Sequence, residues 1–133
     1  MREARCHCGD LRLVCEGEPH KVSMCPCDDC QRRTGSAFSV AVFYPADSVH
    51  LKGPPPIRYE RGSASGHPVS FFFCPRCGSN VFWRAERMPH LIGVALGAFS
   101  DPSFPAPSQS VWTREKHYWL ALPDGVACYE TAP

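Results

Sequence analysis

Three cysteines stand within six residues at positions 25–30, in the order Cys-Pro-Cys-Asp-Asp-Cys, and two further pairs, Cys6/Cys8 and Cys74/Cys77, lie elsewhere in the chain. Thiolates at such spacing are soft metal ligands, and a structural zinc takes four of them in a closed tetrahedron. Both pairs end in Cys-Gly, as Cys8-Gly9 and Cys77-Gly78. Glycine after the second thiolate permits a tight turn that aims backbone amides at the sulfurs. This shared ending groups Cys6, Cys8, Cys74 and Cys77 as a structural zinc site. It disfavours the alternative in which two cysteines of the triplet join Cys74 and Cys77. A clip of this kind adds metal-binding free energy to folding. A redox dithiol at Cys74/Cys77 is disfavoured because no helix follows to lower a thiol pKa. His7, between two ligands, is expected to be an exposed bystander.

Cys25, Cys27 and Cys30 are then one ligand short. Three thiolates around a dication leave a net charge of −1 and an open fourth position, the feature that separates catalytic from structural zinc. Such a metal is a weak Lewis acid toward water and suits a soft ligand, a thiol held as thiolate. Arg32 and Arg33 follow at once and either offset the excess charge, receive an anionic substrate, or solvate a surface turn. Other readings stay open: His67 or His90 completes a second structural site, or the triplet is without metal in the resting cell. Tyr44, Tyr59 and His67 are the polar candidates for a general acid.

The elements that must position these groups are short. Fourteen prolines and ten glycines in 133 residues leave little room for long helices. Apolar runs rich in β-branched and aromatic residues read as strands at 11–15, 37–44, 69–73, 90–96, 111–113, 117–122 and 126–130. Turn signals separate them at 53–56, 62–68, 100–108 and 123–125. One short helix is expected over 28–35, with Asp28 or Asp29 as N-cap and Gly35 as the stop. The chain reads as a single mainly-β zinc domain over 1–133, with at most one short helix.

Composition bounds the rest. Fourteen basic against thirteen acidic residues give a formal charge of +1, without the basic footprint that nucleic acid or an anionic membrane would select. No apolar run approaches the roughly 18 residues that span a bilayer. The opening residues carry charge with no apolar run behind them, so no export signal is expected and the cytoplasm is the expected location. Nine cysteines, an odd number, argue against a disulfide framework in that compartment. Cys15 and Cys128 stand apart among apolar residues and are expected as small buried hydrophobes.

The ordered segments CHCGDLRLVCEGEP, MCPCDDCQRRTGSAFSVAVFYPADSVHLKG and SFFFCPRCGSNVFW resemble the family of glutathione-dependent formaldehyde-activating enzymes, which includes the centromere protein V group. The likeness runs from about residue 5 to residue 84. It resumes weakly at GAFSDP and at VWTREKHYW, where Lys116 and Trp119 fit the family's closing strand. Ser110 stands where the family pattern leads one to expect a histidine. The resemblance implies a mainly-β zinc domain similar to the Mss4-like fold. It implies structural zinc at Cys6, Cys8, Cys74 and Cys77, and active-site zinc at Cys25, Cys27 and Cys30. The implied activity is a carbon–sulfur lyase type, joining glutathione to formaldehyde as S-hydroxymethylglutathione. A small-molecule thiol and a carbonyl are the expected partners, and the sequence leaves room for a homodimer. Rival classes are a zinc-stabilised binding module without chemistry and a zinc or thiol redox sensor.

Overall fold

Along Ser39–Pro45 the side chains alternate, and that alternation sets the layers. Val42 and Tyr44 are buried without exposure, whereas Ala41 and Phe43 are half-buried on the opposite face. The computed structural model describes residues 1–63 and 66–132. Residues 64 and 65, within the turn expected at 62–68, and Pro133 lie outside the described residues. In chain order the elements are β1 (Arg2–Arg5), β2 (Arg12–Cys15), β3 (Lys21–Cys25), α1 (Asp28–Thr34), β4 (Ser39–Pro45), β5 (Val49–Lys52), β6 (Ile57–Arg61), β7 (Val69–Phe73), β8 (Asn80–Ala85), β9 (Leu91–Ala95), β10 (Gln109–Ser110) and β11 (Ala127–Cys128). The expected mainly-β domain with one short helix is what the chain forms.

Two sheets carry the fold. β1, β2 and β5 form a small antiparallel sheet, and β11-β10-β3-β4-β9-β8-β7-β6 form a larger mixed one. β10 pairs in parallel with both β3 and β11; the other pairings are antiparallel. Ala4, Leu11, Leu13 and Cys15 from the small-sheet region meet Val22, Val42, Tyr44, Val81, Phe82, Ile92 and Val94 from the large sheet in one buried cluster. Each large aliphatic side chain so enclosed contributes roughly 1.5–3 kcal/mol. The other face of the large sheet, carrying Lys21, Ser23, Ala41 and Phe43, lines a cleft. Among the described residues no helix is long and apolar enough to cross a membrane.

Several expectations give way. Residues 117–122 form no strand, although they are apolar and aromatic. Leu120 N–H closes a turn onto the His117 carbonyl, and Lys116 Nζ donates to the Leu120 carbonyl. Without a neighbouring strand, Tyr118 is 95% and Trp119 58% exposed. At 111–113 the strand ends early, because Trp112 takes a left-handed backbone and starts a 3-10 turn; pairing falls instead on Gln109–Ser110. The last run is reduced to Ala127–Cys128 at the sheet edge, so Cys128 is exposed rather than buried. Cys15 is buried as expected. β1 and β6 escape a hydrophobic reading because charged residues dominate them, and every residue of β6 is exposed except the half-buried Arg61.

Trp83 lies across Gly93, its partner in register. A Cβ at Gly93 would fall against the indole Nε1 and 2.7 Å from its Cε2. Gly93→Ala is therefore expected to cost about 1–3 kcal/mol through overpacking, measured as a lowered urea midpoint with an unchanged m-value.

Candidate metal centres and the cleft beside them

Each Cys-Gly pair forms the turn of a hairpin, one in each sheet. Cys6 and Cys8 lie between β1 and β2, and Cys74 and Cys77 lie between β7 and β8. Gly9 (φ 88°) and Gly78 (φ 78°) occupy left-handed positions that only glycine takes freely. The backbone repeats itself: Cys6 N–H donates to the Leu11 carbonyl and Cys74 N–H to the Ser79 carbonyl, both at 3.0 Å. Leu11 N–H points at Cys6 Sγ (3.3 Å) and Arg76 N–H at Cys74 Sγ (3.4 Å), the amide-to-sulfur geometry expected of the glycine turns. Ser79 spans both pairs, accepting from His7 N–H at 3.1 Å and meeting Cys77 Sγ at 3.2 Å. That hydroxyl, with the Cys8 and Ser79 amides, brings the Cys77 thiol down to about 5.

All four sulfurs lie within 4.8 Å of one another. Cys6–Cys8 is 3.6 Å and Cys8–Cys74 3.7 Å, the latter closing a separation of 66 residues. Zinc at about 2.3 Å from each sulfur has tetrahedron edges of about 3.8 Å. These residues therefore fit a zinc of the closed structural kind. His7 is exposed and outside the group.

Cys25, Cys27 and Cys30 form the second group, each half-buried, with sulfurs also within 4.8 Å. Cys25 ends β3. Cys27, rather than Asp28 or Asp29, caps α1, because its Sγ accepts from Cys30 N–H at 3.4 Å; the two aspartates fall inside the first turn. Gly35, at φ 66°, stops the helix as expected. The contacts of Cys27 with the Cys25 and Cys30 side chains, then the Cys30 and Asp29 amides, hold its thiol far below the ordinary range. The same sulfur contacts, with burial, push Cys25 upward. The donor set suits a soft metal such as zinc. Among the described residues the group stops at three, so neither His67 nor His90 completes it.

Arg33 is the cation of this site, and Arg32 is exposed. The Arg33 guanidinium carbon sits 4.7 Å from the Phe71 ring centre and 4.4 Å from that of Trp83. Its nitrogens donate to Asn80 Oδ1 (2.6 Å) and Ser39 Oγ (3.0 Å), and one lies 3.9 Å from Cys30 Sγ. Asn80, whose Nδ2 donates to the Phe72 carbonyl (2.9 Å), follows Ser79 directly and ties Arg33 to the four-cysteine turn. The closing segment seats the helix from the other side. Asp28 N–H donates to Glu115 Oε1 at 2.9 Å, and Gln31 Nε2 donates to the Pro26 and Glu115 carbonyls at 2.8 and 3.1 Å. Gln31, Asn80 and Glu115 carried no signal in the sequence, since their roles depend on partners far along the chain.

The triplet opens on a cleft of about 710 Å³ that also takes in Arg33, Phe71, Trp83 and His67. His67 meets Glu86 at 3.2 Å. Tyr44 is buried on the core face, where Arg2 donates to its hydroxyl, and Tyr59 lies on the exposed edge strand; neither lines this cleft. Ser110 is fully buried, and its hydroxyl has no hydrogen-bond partner among the described residues. Lys116 and Trp119 belong to the surface turn rather than to a closing strand.

Burial raises the Cys15 thiol to about 11, whereas Cys128 is exposed. In zinc-loaded protein, iodoacetamide at pH 8 is expected to modify Cys128 and to spare Cys15 until denaturant is added, read by peptide mass spectrometry.

Residues 1–115 match the glutathione-dependent formaldehyde-activating enzyme family. The chain is similar to a crystal structure of a Rhodobacter sphaeroides protein, a structural-genomics target, with 22% identity and a TM-score of 0.59 over 75% of this chain and 91% of that one. At that identity the likeness speaks for the fold alone. A search of curated proteins finds no match. The family match spans both cysteine groups, α1 and Glu115, and by it the chain belongs to the family of glutathione-dependent formaldehyde-activating enzymes.

Proposed function

We propose that this chain joins a thiol, glutathione or one like it, to formaldehyde or another small carbonyl, or runs the reverse cleavage. The observation that carries the reading is the half-buried cluster Cys25/Cys27/Cys30, incomplete among the described residues and open to a cleft. The family's name supplies the two substrates. In the forward direction the thiol sulfur bonds to the carbonyl carbon, the C=O π pair moves to oxygen, and the thiol proton ends there. No oxidant or reductant enters the balance.

Zinc held by Cys25, Cys27 and Cys30 would supply a soft cation that stabilises the substrate sulfur as thiolate. The three cysteines bring more negative charge than a dication offsets. Arg33, lying over the Phe71 and Trp83 rings, offsets that excess beside Cys30. Its planar fork is held on two edges by Asn80 and Ser39, which a lysine would not reproduce. His67 is the polar candidate that lines the cleft, and we assign it the proton delivered to the carbonyl oxygen. Phe71 and Trp83 are buried and form an apolar inner wall of the cleft.

Two zincs per chain are expected on metal analysis. In protein with cobalt at the triplet, glutathione should change the sulfur-to-metal absorption, and [13C]formaldehyde should then give the hydroxymethyl thioether resonance faster than in buffer. A cobalt spectrum indifferent to glutathione would sink the proposal. Arg33→Met is expected to weaken glutathione binding at the triplet roughly tenfold, the order of one lost charge-assisted contact, and to leave metal at the four-cysteine site in place. Arg33→Lys should recover only part of that loss.

A further inference from the structure

Resting on the thiol-addition reading above, we propose that the carbonyl partner carries an aliphatic or aromatic group, and that the cleft beside the triplet receives it. The face of the large sheet turned away from the core carries apolar side chains beside Lys21, Ser23 and Gln109. Its floor is small, with Ser23 opposite Ala41 in register. Phe43, Val69, Met88, Val111 and Trp112 rise around it, each half-buried and each lining the same cleft as the three sulfurs. Formaldehyde is a single carbon, and glutathione is a charged, polar tripeptide. Neither covers such a wall. Apolar surface gathered in one concavity is stabilised by a matching apolar group. A cleft of about 710 Å³ also lies in the range, about 300–1,000 Å³, that encloses ligands well beyond formaldehyde in size.

Trp112 is the second observation. Its backbone sits at φ 56°, ψ 36°, a left-handed conformation that bulky residues rarely adopt. Three contacts keep it there. Trp112 N–H donates to the Thr131 carbonyl, Glu115 N–H donates to the Trp112 carbonyl, and the Arg114 guanidinium lies 5.1 Å from the indole ring centre. The same turn places Glu115 on the first turn of α1. The tryptophan and the cysteine triplet are therefore mounted on one scaffold and line one cleft. Lys21, Arg32 and Arg87 also line the cleft; their charge suits the carboxylates of the thiol and leaves the apolar wall to the carbonyl partner.

S-methylglutathione and S-hexylglutathione test the assignment in the zinc-loaded full chain by isothermal titration. A thioether sulfur is a weak zinc ligand, so the comparison reads the cleft and not the metal, and neither compound turns over. S-hexylglutathione is expected to bind at least tenfold more tightly than S-methylglutathione, and Trp112→Ala should bring that ratio toward one. Should Trp112→Ala fail to fold, the wild-type ratio decides alone. Equal affinities in a protein whose cobalt spectrum still responds to glutathione overturn the apolar assignment and leave the thiol reading standing. A cobalt spectrum indifferent to glutathione removes both.

Discussion

The meeting of two hairpin turns, Cys6/Cys8 from the small sheet and Cys74/Cys77 from the large one, is the constraint on which the rest depends. It joins points 66 residues apart in sequence at a sulfur separation of 3.7 Å. Four thiols at that spacing repel as thiolates and are stable together as metal ligands, so a metal held by them would lock the two layers at one edge of the core. Ser79 holds both turns, and Asn80 next to it receives Arg33. Arg33 in turn reaches Cys30. A route of side-chain contacts, with the Ser79–Asn80 peptide link in it, therefore runs from the closed cysteine group to the open one.

The open group is built by different means. Cys25 is held by a strand, Cys27 by a helix cap and Cys30 by the helix itself, so three residues close in sequence come from three backbone conformations. The short helix contributes almost nothing through its own burial, since none of its residues is fully buried. Partners elsewhere seat it. Glu115 satisfies an otherwise unpaired amide of its first turn, Gln31 binds the segment carrying Glu115, and Arg33 lies over two neighbouring aromatic rings. With α1 so anchored, Cys27 and Cys30 stay beside Cys25 of β3, and all three line the cleft.

The large sheet serves two solvents with its two faces. Toward the small sheet it presents Val22, Val42, Tyr44 and Val94; toward the cleft it presents Ser23, Ala41 and Phe43. Only a strict period of two allows adjacent residues to take opposite duties. Gly93 and Trp83 mark where this division is tightest, with the indole laid over a position that has no side chain. That placement makes Trp83 available to Arg33.

What the sequence determined by itself was local. Cysteine spacing, the glycine after each pair, the helix stop at Gly35 and the strands read at 37–44 and 69–73, which fold at Ser39–Pro45 and Val69–Phe73, all rest on a few neighbouring residues, and short-range sterics and ligand count are enough to read them. The charged strands Arg2–Arg5 and Ile57–Arg61 were illegible because a partner strand, not a hydrophobic pattern, makes them strands. Residues 117–122 misled in the opposite direction, having strand-like side chains and no partner. Tyr44 and Cys128 exchanged their expected settings for the same reason, since burial depends on which layer covers a residue. The tertiary structure alone decided that Arg33 rather than Arg32 attends the sulfurs, and that Gln31, Asn80 and Glu115 hold it and its helix in place. Those contacts cross 47 to 87 positions of the chain, and no local pattern encodes a hydrogen bond between residues that only folding makes neighbours.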